Sequence, residues 1–328
     1  MDKLPRIQQA LFSACASLLS RGGAKGALLV LIYHRVVPKP DPLLAAEPDA
    51  RTFAAQMDIL RSTFNVIPLT EAIERMRKAS LPKRAACITF DDGYVNNLEV
   101  AAPILAERKL PATVFVATQF MSGGRMWNDT VIEIARRAQG ELDLTRFGLG
   151  RYVMGDTAAR RDAFRAILDA VKYLEPTERA RRVNAIAEHS GADLPNDLMM
   201  SAQMIRRLHA QGVEIGAHTE SHPILAKTSE EQARSEIAGS KATLEDVIGA
   251  PVTMFAYPNG RPHTDYAERD VALVKACGFR GAVSTAWGCA RHDSDLFQIP
   301  RVAPWDRTPA RFAARLIKAY VDPIAGIV

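Results

Sequence analysis

The chain has 328 residues, 48% of them hydrophobic and 24% charged, which describes a globular protein long enough for one large α/β domain or two small ones. Its formal net charge is only +5, and no dense basic run occurs, so we expect no nucleic-acid partner. The cysteines form no C-x-x-C pair and are typical of free thiols in a reducing compartment: Cys15, Cys87, Cys277 and Cys289.

Residues 1–26 are predicted to form an N-terminal amphipathic helix with one apolar face, made of Ile7, Leu11, Ala14 and Leu18. Interspersed Gln and Ser residues make this stretch too polar for a signal-peptide core or a membrane span. Two readings stay open. We favour a helix docked on the domain; a helix lying on a membrane surface, helped by Arg21 and Lys25, is the alternative. The protein is predicted to lie in the cytoplasm. If its N-terminal helix lies on a membrane surface, the protein would also make peripheral membrane contact.

From residue 27 onward, apolar strands alternate with helical patterns. The run at 27–33 is continuously apolar, as expected of a strand buried on both faces of a parallel sheet. Short strands are also predicted directly before Asp91 and His218, and at these positions: 65–67, 113–116, 252–256, 281–284 and 297–302. Alternation at this pitch implies about seven parallel β/α units. Pro103 should kink or restart the helix that follows the paired aspartates.

The alternation breaks between about residues 120 and 201, which we interpret as a helical insertion in a domain of residues 27–328. An amphipathic helix and a second, charged helix after Pro176 are predicted there. We expect the insertion to cap one end of the barrel. Trp127 lies at its entrance and could stack on a sugar ring, although plain packing is the more frequent role of a single tryptophan.

Two adjacent carboxylates, Asp91 and Asp92, follow a predicted buried strand, and Gly93 allows a sharp exit from it. They therefore lie at the carboxyl end of a strand, where α/β proteins place ligand chemistry. Two neighbouring carboxylates repel each other, and a cation or a proton on one of them relieves that repulsion. A simple turn with a helix cap is the alternative interpretation.

A second polar cluster also follows a short apolar strand and ends in His218-x-x-x-His222. Pro223 argues against a regular helix at this point. Two imidazoles and one carboxylate are a common ligand set for a catalytic divalent metal that keeps a coordination position open for water.

With both clusters in view, the chain resembles the polysaccharide deacetylases, the NodB-homology or carbohydrate esterase family four. Thr89-Phe90-Asp91-Asp92-Gly93 is similar to the first motif of that family, and His218-Thr219-Glu220-Ser221-His222 is similar to the second. Phe255-Ala256-Tyr257-Pro258-Asn259-Gly260 resembles the third. The resemblance extends from about residue 31 to residue 302. It implies an α/β fold, a distorted and incomplete (β/α)7 barrel with a helical insertion.

The resemblance also implies roles for the residues of the first two motifs. Asp92, His218 and His222 would bind one divalent metal ion. Zinc suits this ligand set best, and cobalt or nickel would also be accepted. Asp91 would be the general base.

Four further residues are implied to contact the substrate or assist the reaction: His34, Tyr257, Asn259 and Arg301. For His34, a histidine satisfied by loop carbonyls is the alternative interpretation. For Arg301, which resembles an arginine that orients the base in some branches, a surface salt bridge is the alternative interpretation. The third motif has Ala256 where many members have an arginine.

The late Leu-x-His that carries the general acid in the family is not recognisable in this chain. His34, His263 and His292 are the candidate replacements, and the sequence does not choose among them.

The resemblance therefore predicts an enzyme, a metal-dependent hydrolase that removes N-acetyl groups from a sugar in a polysaccharide, an oligosaccharide or a lipid-linked glycan precursor. Two alternatives remain open. A metal-dependent amidohydrolase acting on a small linear or cyclic amide would have a closed pocket in place of a groove. A carbohydrate-binding pseudoenzyme would explain the missing acid histidine, but the intact Asp91 and Asp92 argue against it.

Overall fold

The computed structural model describes residues 5–324 and 326–328, without the side chain of Arg6. The strands are β1 (Leu28–Tyr33), β2 (Asn65–Val66), β3 (Ala85–Phe90), β4 (Thr113–Val116), β5 (Glu141–Asp143), β6 (Arg151–Val153), β7 (Glu214–Ala217), β8 (Met254–Ala256) and β9 (Gly281–Val283). The α-helices are α1 (Arg6–Leu19), α2 (Ala50–Thr63), α3 (Leu69–Arg77), α4 (Ala102–Arg108), α5 (Trp127–Arg137), α6 (Thr157–Val171), α7 (Pro176–Ser190), α8 (Ala202–Ala210), α9 (Glu230–Ile248), α10 (Glu268–Ala276) and α11 (Pro309–Val321).

The main sheet has seven strands in the order β1-β3-β4-β7-β8-β9, with β2 paired to the beginning of β3. All of its strand pairs are parallel. β2 and β4 share one edge of β3, because β2 pairs with its first two residues and β4 with its last two. The sheet curls into the predicted distorted, incomplete (β/α) barrel.

The segment after β9 closes the gap between β9 and β1. Ile299 bridges to Val283, and Val302 bridges to Leu31. The sequence predicted a continuous strand over 297–302, and this prediction is wrong. Pro300 lies between the two bridges, and a proline cannot donate the backbone hydrogen bond that a continuous ladder needs.

The strands are buried on both faces, as the continuous apolar run of β1 predicted. Leu29 and Leu31 belong to a large core that the strands share with the surrounding helices. Leu28 and Val30 point the other way and belong to a smaller core, into which α3 also packs. Because successive side chains of a strand alternate between faces, both sets must be apolar or hydrogen-bonded, and the buried Thr89 of β3 donates its hydroxyl to the Leu31 carbonyl at 2.7 Å.

The helix after the paired aspartates is interrupted, as Pro103 predicted. A π-helical turn over Asn97–Ala101 leads directly into α4, whose second residue is Pro103. Proline has no N–H to donate to the preceding turn, which explains the irregular entry. In this turn, Asn97 Nδ2 donates to the backbone carbonyl of His34 at 2.9 Å and so supports the loop after β1.

The region inserted between β4 and β7 has its own hydrophobic core. α5, α6 and α7 pack with the antiparallel hairpin β5–β6 around Val131, Ile134, Ile167 and Val183. The hairpin was not predicted, because each of its strands has only three residues.

A buried seam joins this region to the barrel. Arg35, after β1, forms an ion pair with Asp129 on α5. The hydroxyl of Tyr94, after β3, also donates to Asp129, at 3.2 Å, and the Arg35 guanidinium lies 3.8 Å from the centroid of the Tyr94 ring.

The N-terminal helix docks on the barrel through the face opposite to the one that the apolar pattern suggested. Phe12 and Ala16 are buried, and the Phe12 ring packs edge-on against Phe64 of α2 at 5.8 Å. Ile7, Leu11 and Leu18 are 77%, 62% and 67% exposed. Within residues 5–324 and 326–328, no helix has the length and apolarity needed to cross a bilayer. The cytoplasmic location and the peripheral membrane contact stay predictions.

Candidate active site

The polar residues of the sequence motifs meet at the carboxyl ends of neighbouring parallel strands. Asp91 and Asp92 follow β3, and His218 follows β7. His34 follows β1, and Asn259 lies just beyond β8. Parallel strands end at one common edge of a barrel, which explains why residues so far apart in sequence come together here.

Asp92, His218 and His222 form a compact cluster of ligand atoms. Nε2 of His218 lies 3.4 Å from Oδ1 of Asp92, and Nε2 of His222 lies 3.5 Å from the same oxygen. One ligand atom from each residue fits within 4.8 Å of the others. Oδ1 of Asp92 is buried and has no hydrogen-bond donor in the described part of the chain. A buried carboxylate oxygen without a donor, facing two imidazole nitrogens, fits a divalent cation between the three groups.

Local contacts prepare both histidines to act as metal ligands. Nδ1 of His218 lies 2.8 Å from the carbonyl oxygen of Ala256, to which it donates, so the lone pair of Nε2 faces Asp92. Burial lowers the pKa of His222 to about 3, which keeps its ring neutral. For Asp92, burial alone would raise the pKa, but the positive charge that the neighbouring histidines carry when protonated lowers it below its usual value. When both rings are neutral, a divalent cation would supply that positive charge.

Left-handed backbone is concentrated at the cluster. Asp92 has φ of 76°, Thr219 of 65° and His222 of 55°. Such conformations are unfavourable for residues other than glycine and persist where the surroundings enforce them. One enforcing contact comes from Glu236 of α9, whose Oε2 accepts from the backbone N–H groups of Glu220 and Ser221, at 2.8 Å each.

Asp91 lies beside the cluster and is held by Arg301. The guanidinium donates two bonds of 2.7 Å to the carboxylate, one to each oxygen. It also donates to the Ser284 carbonyl at 2.8 Å and to the Thr89 hydroxyl at 3.2 Å. Burial alone would raise the pKa of Asp91, but the charges of Arg301 and His218 outweigh it and lower the pKa below its usual value. The arrangement supplies an ionised carboxylate of fixed orientation.

These contacts correct the substrate-contact expectation for Arg301. It is only 2% exposed, and its donors are directed at Asp91, Thr89 and Ser284. Its role is therefore to orient Asp91. The alternative of a surface salt bridge is also wrong, because the pair is buried.

The substrate-contact expectation for Tyr257 is corrected as well. Tyr257 is fully buried, its hydroxyl donates to the carbonyl of Phe297 at 3.1 Å, and its ring stacks on Tyr266 with centroids 4.0 Å apart. Its side chain is therefore part of the hydrophobic core. Trp127 is likewise a packing residue, because it lies against the core of the inserted region with the Arg179 guanidinium 4.7 Å from its ring centroid.

A groove of about 460 Å³ is lined by Arg301, the partner of Asp91, and contains His34 and Asn259 in its walls. Asn259 has left-handed backbone, with φ of 56°, and no acceptor for its N–H lies among the described residues. Of the three histidines considered as replacements for the missing acid, His34 lines this groove. His292 lies near Ala290, which pairs with the first residue of β1 at the opposite end of the barrel, and His263 is exposed outside the groove lining.

Several groove residues were not singled out from the sequence. Lys172 comes from the end of α6, Arg261 follows the third motif directly, and Trp287 and Trp305 come from late loops. For Arg261, its position next to Asn259-Gly260 was a usable signal. Nothing in the local sequence around Lys172 distinguishes it from other charged helix residues.

Comparison with known proteins indicates the same family as the sequence motifs do. The polysaccharide deacetylase family model matches residues 78–142 and 164–282, which is more than half of the chain. The Bacillus subtilis protein YxkH, named for polysaccharide deacetylase activity, is 26% identical over 103 residues, covering 31% of this chain and 36% of YxkH. The chain thus matches about a third of the length of this curated relative.

Solved structures show the same fold. The Streptococcus pyogenes deacetylase PplD in complex with acetate superposes with a TM-score of 0.59 at 18% identity, covering 90% of this chain and 99% of PplD. IcaB from Ammonifex degensii superposes with a TM-score of 0.58 at 21% identity, covering 91% of this chain and 98% of IcaB. The family match includes both strand ends that deliver the aspartates and the histidine pair. The chain therefore belongs to the polysaccharide deacetylase family.

Proposed function

We propose that the protein is a metal-dependent N-deacetylase that acts on an N-acetylated sugar in a polysaccharide, an oligosaccharide or a lipid-linked glycan precursor. One observation carries the proposal. A ligand cluster of Asp92, His218 and His222 lies beside a carboxylate, Asp91, that is paired with Arg301, and Arg301 in turn lines a groove.

Asp92, His218 and His222 would hold the metal, and zinc is the ion that this set suits best. A divalent ion bound there supplies Lewis acidity, which polarises an acetamide oxygen and makes water more acidic. The hydrogen bond from His218 to the Ala256 carbonyl fixes the ring orientation that such a site needs.

Asp91 would act as the general base. An amide resists attack by water, so a base that removes the proton of the attacking water lowers the barrier. Arg301 fixes both oxygens of Asp91 and keeps its pKa low, so the carboxylate is ready to accept a proton at neutral pH. The two aspartates thus have different roles although they are neighbours in sequence.

His34 and Asn259 would complete the reaction from the groove side. His34 lies close enough to Asp91 and Asp92 for its charge to lower the pKa of both, and it lines the groove where the leaving amine would lie. We assign it the role of proton donor to that amine. The backbone N–H of Asn259 would bind the oxyanion of the tetrahedral intermediate.

An oligomeric or polymeric sugar fits this groove better than a small amide does. The groove runs from His34 to Trp305, whose side chain is 63% exposed, and so it is open to solvent. A small linear or cyclic amide would require a closed pocket. A pseudoenzyme has no need for the paired and oriented Asp91.

Acetate release from a panel of N-acetylated oligosaccharides, with and without a chelator, tests the proposal. We expect release that stops with the chelator and returns with added zinc. His218→Ala should lower metal content and activity together. His292→Ala, at the other end of the barrel, is the matched control and should change neither. Metal binding unaffected by His218→Ala would refute the assigned site.

A further inference from the structure

We propose that the substrate is anionic. In this inference, Lys172 and Arg261 bind a carboxylate or phosphodiester group on the unit next to the N-acetylated sugar. The inference rests on the proposed deacetylase function and narrows its substrate class. It depends on the charges in the groove beside Asp91, on a buried arginine behind them, and on two tryptophans at the outer end of the groove.

Lys172 and Arg261 are the two groove cations without an acidic partner in the described part of the chain. The other two arginines of the groove are neutralised, because Arg301 pairs with Asp91 and Arg315 pairs with Asp306. An unpaired cation in a groove is available for a ligand anion, and two of them in one groove favour an anionic ligand over a neutral one.

Two acids lie near these cations, but neither forms an ion pair with them in the described part of the chain. Oδ1 of Asp265 has no hydrogen-bond partner there, and burial raises the pKa of Asp265 while both cations act to lower it. Glu47, which also lines the groove, accepts from the backbone N–H of Arg35 at 3.2 Å. Asp265 is 1% exposed, and its Oδ2 accepts from the backbone N–H of Arg261 at 3.0 Å. Asp265 therefore anchors the loop that carries Arg261, and the guanidinium of Arg261 remains exposed at the groove.

Arg179 adds a third positive charge behind Lys172. It is 4% exposed, forms no ion pair with any described acid, and donates to the backbone carbonyl of Lys172 at 3.4 Å. Its positive charge therefore lies directly behind Lys172 and adds to the attraction that Lys172 has for an anion in the groove.

Trp287 and Trp305 provide an apolar surface at the outer end of the same groove. The Arg315 guanidinium lies 5.7 Å from the centroid of the Trp287 ring and 5.4 Å from that of Trp305. The apolar face of a sugar ring can pack on such a surface. A neutral glycan would use the tryptophans but leave Lys172 and Arg261 without partners, whereas an anionic glycan satisfies both features.

The test compares two tetrasaccharides on the full-length, metal-loaded enzyme. Chitotetraose is neutral, and a hyaluronan-type tetrasaccharide alternates N-acetylglucosamine with glucuronate. We expect kcat/KM to be about tenfold or more higher for the anionic substrate, and this advantage to shrink as salt screens the charges. Equal kcat/KM for the two substrates, with equal binding, would overturn the inference.

Substitutions of Lys172 and Arg261 test whether these two residues cause the preference for the anionic substrate. Lys172→Gln and Arg261→Gln should each raise KM for the anionic tetrasaccharide about tenfold and leave the kinetics with chitotetraose unchanged. Arg165→Gln removes one positive charge from an exposed position on the same helix as Lys172 and is the matched control, with no expected change. A preference for the anionic substrate that survives both groove substitutions would contradict the assignment.

Direct calorimetric binding of both tetrasaccharides separates failure of this inference from failure of the proposed function. If neither substrate releases acetate, the deacetylase proposal fails, yet tighter binding of the anionic one that Lys172→Gln abolishes would support the anion site. If chitotetraose is deacetylated and the anionic tetrasaccharide has no advantage, the deacetylase proposal stands and the anion site is refuted.

A third compound tests whether the anionic group of the substrate is a carboxylate or a phosphodiester. The methyl phosphodiester of N-acetylglucosamine 1-phosphate carries a phosphate in place of a carboxylate. If Lys172→Gln weakens its binding more than that of the glucuronate compound, the anion is a phosphodiester, and the reverse result identifies a carboxylate. Both results support an anion site, and no effect on either compound refutes it.

Discussion

The barrel end and the inserted region between β4 and β7 differ in how they place polar residues. At the barrel end, Asp91, Asp92 and His218 are only 2%, 5% and 1% exposed, and each follows directly on a buried strand. The inserted region packs around its own core and gives the groove one residue, Lys172. The barrel therefore positions the groups that are proposed to catalyse the reaction. The inserted region contributes a residue that is proposed to select the substrate.

The barrel end and the inserted region place residues differently because they differ in how rigidly they hold those residues. A residue at a strand end is held in position by the hydrogen bonds between the strands and by the core that packs on both faces of the sheet. The inserted region meets the rest of the chain through side-chain contacts, among them the buried Arg35–Asp129 pair and the hydrogen bond from Tyr94 to Asp129. Substitutions in the two regions should consequently produce different defects.

The largest effect is expected at the barrel end. Asp91→Asn should retain metal and fold but lose about 10²- to 10⁴-fold in turnover, because a positioned base contributes that much. Asp92→Asn should instead weaken metal binding. Metal content and acetate release would be measured on both variants. Equal metal loss in the two, or near-normal turnover of Asp91→Asn, would rule out this division of roles.

A substitution in the seam between the inserted region and the barrel should lower the free energy of unfolding. Asp129→Ala leaves Arg35 buried without a counter-ion, and such a loss costs about 3 to 5 kcal/mol in the free energy of unfolding. Urea denaturation and limited proteolysis within residues 127–190 would measure it, while metal content should not change. Asp162→Ala, at an exposed position on α6, is the control. If Asp129→Ala were as stable as this control, the seam would not hold the two regions together.

Arg301→Lys should affect rate and pH dependence through Asp91. A lysine cannot donate to both carboxylate oxygens from a planar fork, so we expect kcat to fall by about tenfold to hundredfold. Arg301 lowers the pKa of Asp91, so weakening the pair raises that pKa, and the acid limb of the pH–rate profile moves to higher pH. Arg165→Lys, at an exposed position that does not line the groove, serves as control. An acid limb that stays in place would show that Arg301 does not set the ionisation of Asp91.

The smallest effect is expected where the loop before α2 meets the inserted region. Asp41 pairs with Arg136 of α5 at 2.7 Å. Burial raises the pKa of Asp41, but Arg136 and the Leu43 N–H outweigh it and lower the pKa below its usual value. A carboxyl with a lowered folded-state pKa stabilises the protein above its unfolded pKa of about 3.9, and this contribution is lost as pH falls through the folded value.

Asp41→Asn should accordingly lower the free energy of unfolding by about 0.5 to 1 kcal/mol at neutral pH, because the pair is partly exposed. The difference between Asp41→Asn and the wild-type protein should vanish in acid. Denaturation curves at several pH values would measure it. A difference that persists in acid would mean that packing, and not charge, accounts for the effect.

The sequence by itself determined the parts of this protein that depend on local pattern. The run at 113–116 is β4, with the predicted bounds, and Pro103 interrupts its helix as expected. The two polar clusters stand at strand ends because each apolar run ends directly before them. The order of strands and helices was enough to predict about seven parallel β/α units with a helical insertion, and the resemblance of the motifs to a known family implied the distorted (β/α) barrel.

Only the tertiary structure decided which side chains meet and which face of an element is covered. Arg301 reaches Asp91 across 210 residues of chain, Tyr257 turns into the core, and Lys172 joins the groove from the inserted region. The apolar stripe of α1 points outward, because Phe12 and Ala16 pack against the barrel. A local pattern gives the period of an element, but its orientation depends on partners that packing brings together from distant parts of the chain.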